Sequence, residues 1–128
     1  MIEINNLTNF PVDKKFLTGV AKKVLKGENR EIENISIAFV SSDEIKKLNQ
    51  KYRKKNKPTD VLSFGKSLDF ESDTAEIVIC PEIVKENGDE LAKMLIHGIL
   101  HILGYDHEKT TKEAEEMERK QEKYLSII

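Results

Sequence analysis

All three histidines of this 128-residue chain lie in one stretch, His97-Gly98-Ile99-Leu100-His101-Ile102-Leu103-Gly104-Tyr105-Asp106-His107. Leu91, Met94, Leu95, Ile99 and Ile102 recur at helical spacing, which predicts a strong helix from Asp89 to Leu103 with Gly104 as its left-handed C-terminal cap. On a helix, residues i and i+4 share a face, with Cβ atoms about 5–6 Å apart. His97 and His101 can therefore both reach one ion at Zn–N distances of about 2.0–2.1 Å. The chain turns back at Gly104 and can bring His107 to the same ion from a third direction.

Three unrelated histidines would be a poor account of this stretch, because unpaired imidazoles among apolar neighbours cost free energy. The spacing is that of the extended zincin motif H-E-x-x-H-x-x-G-x-x-H, with Gly98 where that motif has Glu. The ligands remain and the usual general base does not. Structural zinc is normally closed by four protein ligands, whereas three His with an open fourth position is the catalytic pattern. Asp106 either orients an imidazole or makes a turn hydrogen bond. Glu108 reads as a surface charge rather than a base. Cys80 ends an apolar strand and reads as a small buried hydrophobe rather than a fourth ligand.

The length fits a single domain, 1–128, able to bury a core without staples. No apolar run approaches the roughly 20 residues that span a bilayer. The N-terminus lacks a basic n-region and an apolar h-region, so no secretory signal is expected. One cysteine excludes a disulfide scaffold and points to a reducing compartment. Strands are expected at 2–4, 35–40, 61–64 and 76–80, the last terminated by Pro81. A helix starts at Pro11-Val12-Asp13, buries Phe16, Leu17, Val20, Ala21 and Leu25, and closes at Gly27-Glu28-Asn29. Another begins at the capping-box pair Ser41 and Glu44, with Ile45, Leu48 and Tyr52 as its stripe. The last runs from Lys112 to Leu125, with a solvated Glu-rich face over 113–122. The order β-α-β-α-β-β-α-α predicts an α+β domain: a small mixed β-sheet packed by helices, with a zincin-like metal site on a central helix.

The net charge of −2 hides an asymmetry: thirteen Lys and Arg against seven Asp and Glu in 1–57, and eight against sixteen in 58–128. Arg53 ends a helix beside Lys51, Lys54, Lys55 and Lys57. A guanidinium suits bidentate phosphate contact, and lysines position a nucleic-acid backbone without reading bases. From the residues alone, a solvated basic loop is the favoured reading. Asp60 is expected to buttress that loop, and Ser63 to be structural.

At these residues the sequence resembles the YbeY endoribonucleases, bacterial rRNA maturation factors. Their signature His-Gly-x-Leu-His-Leu-x-Gly-Tyr-Asp-His is matched by 97–107, with Ile at tolerant Leu positions. A second segment, a basic loop running into Pro-Thr-Asp-Val-Leu-Ser-Phe, is matched by 52–64, and a weaker third by the strand 76–80. The resemblance implies one Zn2+ on His97, His101 and His107, and a catalytic role for Arg53. It implies an RNA substrate, chiefly the 3′ end of small-subunit (16S) rRNA, cleaved single-strand-specifically. The partner implied is the small ribosomal subunit, in the cytoplasm, with neither DNA nor a membrane involved. The chain departs from the family at Ala75, where Gly is usual, at Gly65, where Pro is common, and in two short connections, from Phe64 to Glu76 and from Pro81 to the His helix.

With every histidine committed to metal, the base would be solvent on the metal, a carboxylate such as Asp106 or Glu76, or the RNA's own 2′-hydroxyl. Two other functions compete. A zincin-type hydrolase of peptide or amide bonds is opposed by Gly98. A non-catalytic, zinc-stabilised ribosome assembly factor would use the basic face for binding alone.

Overall fold

The computed structural model describes residues 1–32, 34–64, 74–105 and 110–128. Its elements in chain order are β1 (Ile2–Asn6), α1 (Lys14–Gly27), β2 (Asn34–Phe39), α2 (Ser42–Arg53), β3 (Val61–Phe64), β4 (Thr74–Ile79), α3 (Pro81–Glu86), α4 (Leu91–Ile102) and α5 (Thr111–Ser126). The strands form one mixed sheet in the order β1-β2-β4-β3. The pairs β1–β2 and β2–β4 are parallel, and β3 runs antiparallel to β4 at the edge.

Period-two alternation decides what each face of the sheet carries. Ile35, Ile37 and Phe39 of β2 lie opposite Ala75, Ile77 and Ile79 of β4, and all six are buried in the main core. That core is completed by α1, α4 and α5, through residues such as Val20, Leu95, Ile99 and Met117. The other face carries a smaller cluster of Leu62, Val78 and Cys80, covered by Ile45 of α2. Helices therefore sandwich the sheet, and α4 is the central one, packed on β3 and β4 and flanked by α1 and α5. This is the α+β architecture that the periodicity predicts.

The helix starts follow local chemistry. Asp13 caps α1 by accepting from the Phe16 N–H, and Ser41 caps α2 by accepting from the Glu44 N–H. Thr110 does the same for α5 through the Glu113 N–H. Helix α4 ends in a Schellman turn: Gly104 has φ +108°, its N–H donates to the His101 carbonyl, and the Tyr105 N–H donates to the Leu100 carbonyl.

Three expectations are corrected. Pro81 does follow the last strand, but it also opens the short helix α3, since proline is suited to a first helical turn where its missing N–H has no partner to lose. Phe16 is 47% exposed, and Val24 takes the core position on α1 instead. On α2 Ile45 and Asn49 are buried and Leu48 packs against the same cluster as Ile45, while Tyr52 is 56% exposed. Among the described residues, no helix is long and apolar enough to cross a membrane.

Candidate metal centre

Helix α4 brings His97 and His101 together. Their ring centroids are 4.7 Å apart at an interplanar angle of 77°, and both residues are partly buried. A metal about 2.0–2.1 Å from one nitrogen of each ring, at a near-tetrahedral angle, requires centroids roughly 5 Å apart. The observed separation of 4.7 Å is close to that value. Among the described residues, no third His, Cys, Asp or Glu joins them to form a metal-holding group. His107 and Asp106, the predicted third ligand and its neighbour, lie outside the described residues, as does Glu108.

The His97 ring is oriented from α5. Its Nδ1 lies 2.9 Å from Oε1 of Gln121. An amide oxygen accepts only, so with Oε1 facing the ring this bond calls for the Nδ1–H tautomer, the form whose metal-binding nitrogen is Nε2. Gln121 follows Met117 by four residues and precedes Tyr124 by three, so it sits on the buried stripe of α5. The sequence signal for it is a polar residue on a core-facing stripe, set in a helix whose outer face is rich in Glu.

Helix α4 lies tight against the sheet beside His97. A Cβ built on Gly98 would come 3.0 Å from Ile77 Cγ2 and 3.1 Å from Ser63 Oγ. The Ser63 hydroxyl donates to the Gly98 carbonyl at 3.2 Å, so Ser63 is structural, as expected. The glycine in the position of the zincin Glu is thus closely packed, and a Cβ there would require Ile77 or Ser63 to give by a few tenths of an ångström.

A second cluster secures the far end of α4. Glu28, whose side chain is 6% exposed, accepts from the hydroxyls of Tyr105, at 2.5 Å, and Tyr124, and pairs with Lys120 at 3.2 Å. Burial pushes the Glu28 carboxyl up, but the two tyrosine bonds and the Lys120 ammonium together hold it below the usual value. The Glu28 bond and burial raise the Tyr105 phenol, and burial followed by the Glu28 bond raises that of Tyr124. The cluster ties the end of α1 and the length of α5 to Tyr105, the residue that closes the Schellman turn.

The basic segment lies at the other side of the edge strand. Arg53 is the last residue of α2, and Lys54 caps it in the left-handed conformation at φ 57°. Arg53, Lys51, Lys54, Lys55 and Lys57 are all exposed. Asn49, only 3% exposed, shapes the loop: its amide donates to the Lys57 carbonyl at 2.9 Å. Asp60 buttresses the loop by accepting from the Val61 N–H at 2.8 Å, while its carbonyl takes the Cys80 N–H. The Tyr52 ring meets Phe64 edge-on at 5.1 Å. Phe64 and Ser63 point to opposite faces of β3, so this four-residue strand joins the Arg53 end of α2 to the histidine helix.

Two other candidates face away from the histidines. Glu76 alternates with Ala75 and Ile77, whose side chains face α4, so it projects from the opposite face and cannot serve as the base considered for it. Cys80 is buried in the α2-side cluster, where burial raises its thiol, and it packs there as a small hydrophobe.

Known proteins resemble this chain in both sequence and fold. The family model described as Endoribonuclease YbeY matches residues 3–128. A protein of Thermotoga neapolitana named Endoribonuclease YbeY is 41% identical, over 90% of this chain and 82% of its own. Its namesake from Ruthia magnifica is 36% identical over 100% of this chain and 96% of its own. The solution structure of TM1509 from Thermotoga maritima matches with a TM-score of 0.66 at 38% identity, covering 98% of this chain and 87% of that one. From its sequence and its fold together, the chain belongs to the YbeY endoribonuclease family.

Proposed function

We propose that the protein is a zinc-dependent, single-strand-specific endoribonuclease that matures the 3′ end of small-subunit (16S) rRNA, working on the small ribosomal subunit in the cytoplasm. The observation that carries the reading is the His97–His101 pair on α4 beside Gly98, a closely packed glycine where a zincin peptidase has its glutamate. His97, His101 and His107 would hold one zinc ion. Zinc bound there supplies a Lewis acid for a phosphate oxygen. Arg53 would clamp the phosphate as its charge builds in the transition state, which a planar guanidinium does better than an ammonium. Lys51, Lys54, Lys55 and Lys57 would hold the RNA backbone, in the loop conformation that Asn49 and Asp60 maintain. Asp106 would act as base or would steady an imidazole.

The test is single-turnover cleavage of a single-stranded RNA carrying the rRNA 3′ precursor sequence, with the metal content of the same sample measured. Cleavage should stop on chelation and return with zinc. A product with a 2′,3′-cyclic phosphate assigns the attack to the 2′-hydroxyl, and a 5′-phosphate end assigns it to water. Zinc-loaded protein that leaves this RNA intact, alone and on precursor subunits, defeats the proposal.

A further inference from the structure

Gln121 lies 24 residues beyond His97 on a different helix, yet its side-chain oxygen meets the ring nitrogen at 2.9 Å. We infer that Gln121 is a positioning residue for metal binding: it locks His97 in the Nδ1–H tautomer and so presents Nε2 to the ion. The inference rests on the metal reading above. An isolated imidazole prefers the proton on Nε2, the nitrogen that would have to bind metal here. An acceptor fixed at Nδ1 reverses that preference before any ion arrives and also sets the rotation of the ring.

The acceptor is itself held rigidly. Lys120, the preceding residue, and Tyr124, one turn on, both bond Glu28, so the turn of α5 that carries Gln121 is tied to the end of α1. Tyr124 is fully buried against α1, in contact distance of Gly27. Met117, four residues before Gln121, is buried in the main core. The amide therefore reaches His97 from a helix with little freedom to shift.

The experiment uses the full chain, stripped of metal, and two variants, Gln121→Leu and Gln121→Glu. Long-range proton–nitrogen NMR of the imidazole rings reads the tautomer, and competition against a chromophoric chelator reads zinc affinity. Wild-type His97 should carry its proton on Nδ1. Gln121→Leu should move the population toward the Nε2–H form and weaken zinc binding by about 10–100-fold. Gln121→Glu, which keeps an acceptor, should restore both, which a merely structural role would not predict. The inference is overturned by a wild-type His97 protonated on Nε2, by unaltered zinc affinity in Gln121→Leu, or by equal losses in the two variants. The tautomer measurement on wild type stands even if a variant fails to fold. Wild-type protein that binds no zinc while His97 keeps its Nδ1 proton rejects the metal reading, and this inference with it.

Discussion

The hydroxyl of Ser63 donates to the carbonyl oxygen of Gly98 at 3.2 Å, and this bond pins the edge strand to the helix that carries His97 and His101. It leaves little clearance at residue 98, where an added Cβ would stand 3.1 Å from the Ser63 hydroxyl and 3.0 Å from Ile77. Gly98→Ala should therefore destabilise the protein by about 1–3 kcal/mol, despite alanine's better helix propensity. Adding Ser63→Ala should relieve part of that loss, so the double variant should be more stable than the two single losses predict. Gly98→Glu should fold poorly and gain no peptidase activity. Denaturant unfolding of the four proteins, with a peptide-cleavage assay on the last, checks the set; a fully stable Gly98→Glu would contradict the packing.

Gly27 makes a similar prediction at the end of α1. An added Cβ would lie 2.5 Å from the ring and the hydroxyl of Tyr124. Alanine in place of a helical glycine normally gains up to about 1 kcal/mol. Here Gly27→Ala should lose about 1–3 kcal/mol instead, because the buried Tyr124 is held by Glu28 and cannot simply turn aside. A melting temperature below that of wild type is the expected readout, and a higher one would refute the prediction.

Acid should loosen the same cluster. The folded Glu28 carboxyl lies below its ordinary value of 4.5, so its contribution is present above pH 4.5 and is lost as the pH falls through the lower folded value. The tyrosines act in the opposite direction. Both phenols are raised from 10.0, so their contribution is complete below pH 10 and declines as the pH rises through the folded values. Glu28→Gln should be less stable than wild type at neutral pH and should flatten the acid limb. Unfolding free energy measured from pH 3 to 7 distinguishes the two proteins, and parallel curves would show that Glu28 is not the titrating group.

Arg53 sits exposed at the end of α2, so Arg53→Ala should leave stability within about 0.5 kcal/mol of wild type. RNA cleavage should nonetheless fall by about 100–1,000-fold. Arg53→Lys should recover little, since the fork geometry is lost. Asn49→Ala acts differently: releasing the Lys57 carbonyl should raise KM for RNA more than it lowers kcat. Cleavage kinetics alongside thermal melts separate the two effects.

Much of the frame was legible in the amino-acid order. The alternation in β2, the capping Ser41 and the glycine turn after α4 each involve residues within a few positions of one another, and local sterics and hydrogen bonding decide them. The i, i+4 spacing of His97 and His101 placed two imidazoles on one side of one helix for the same reason. What the order could not convey is which distant polar groups would meet. Gln121 reads as one more polar residue in a charged helix until α5 docks on α4 and places it on His97. Glu28 reads as part of a helix stop, yet it finds Tyr105 and Tyr124, 77 and 96 residues away. Glu76 is one of the carboxylates the sequence offers as a base, and strand alternation turns it to the face away from the histidines. Periodicity determines which side of an element is buried. The docking of the elements, driven by non-directional apolar burial, decides which polar partners face each other across the join. The histidine stretch was thus determined by sequence, and the polar contact that orients His97 by tertiary structure.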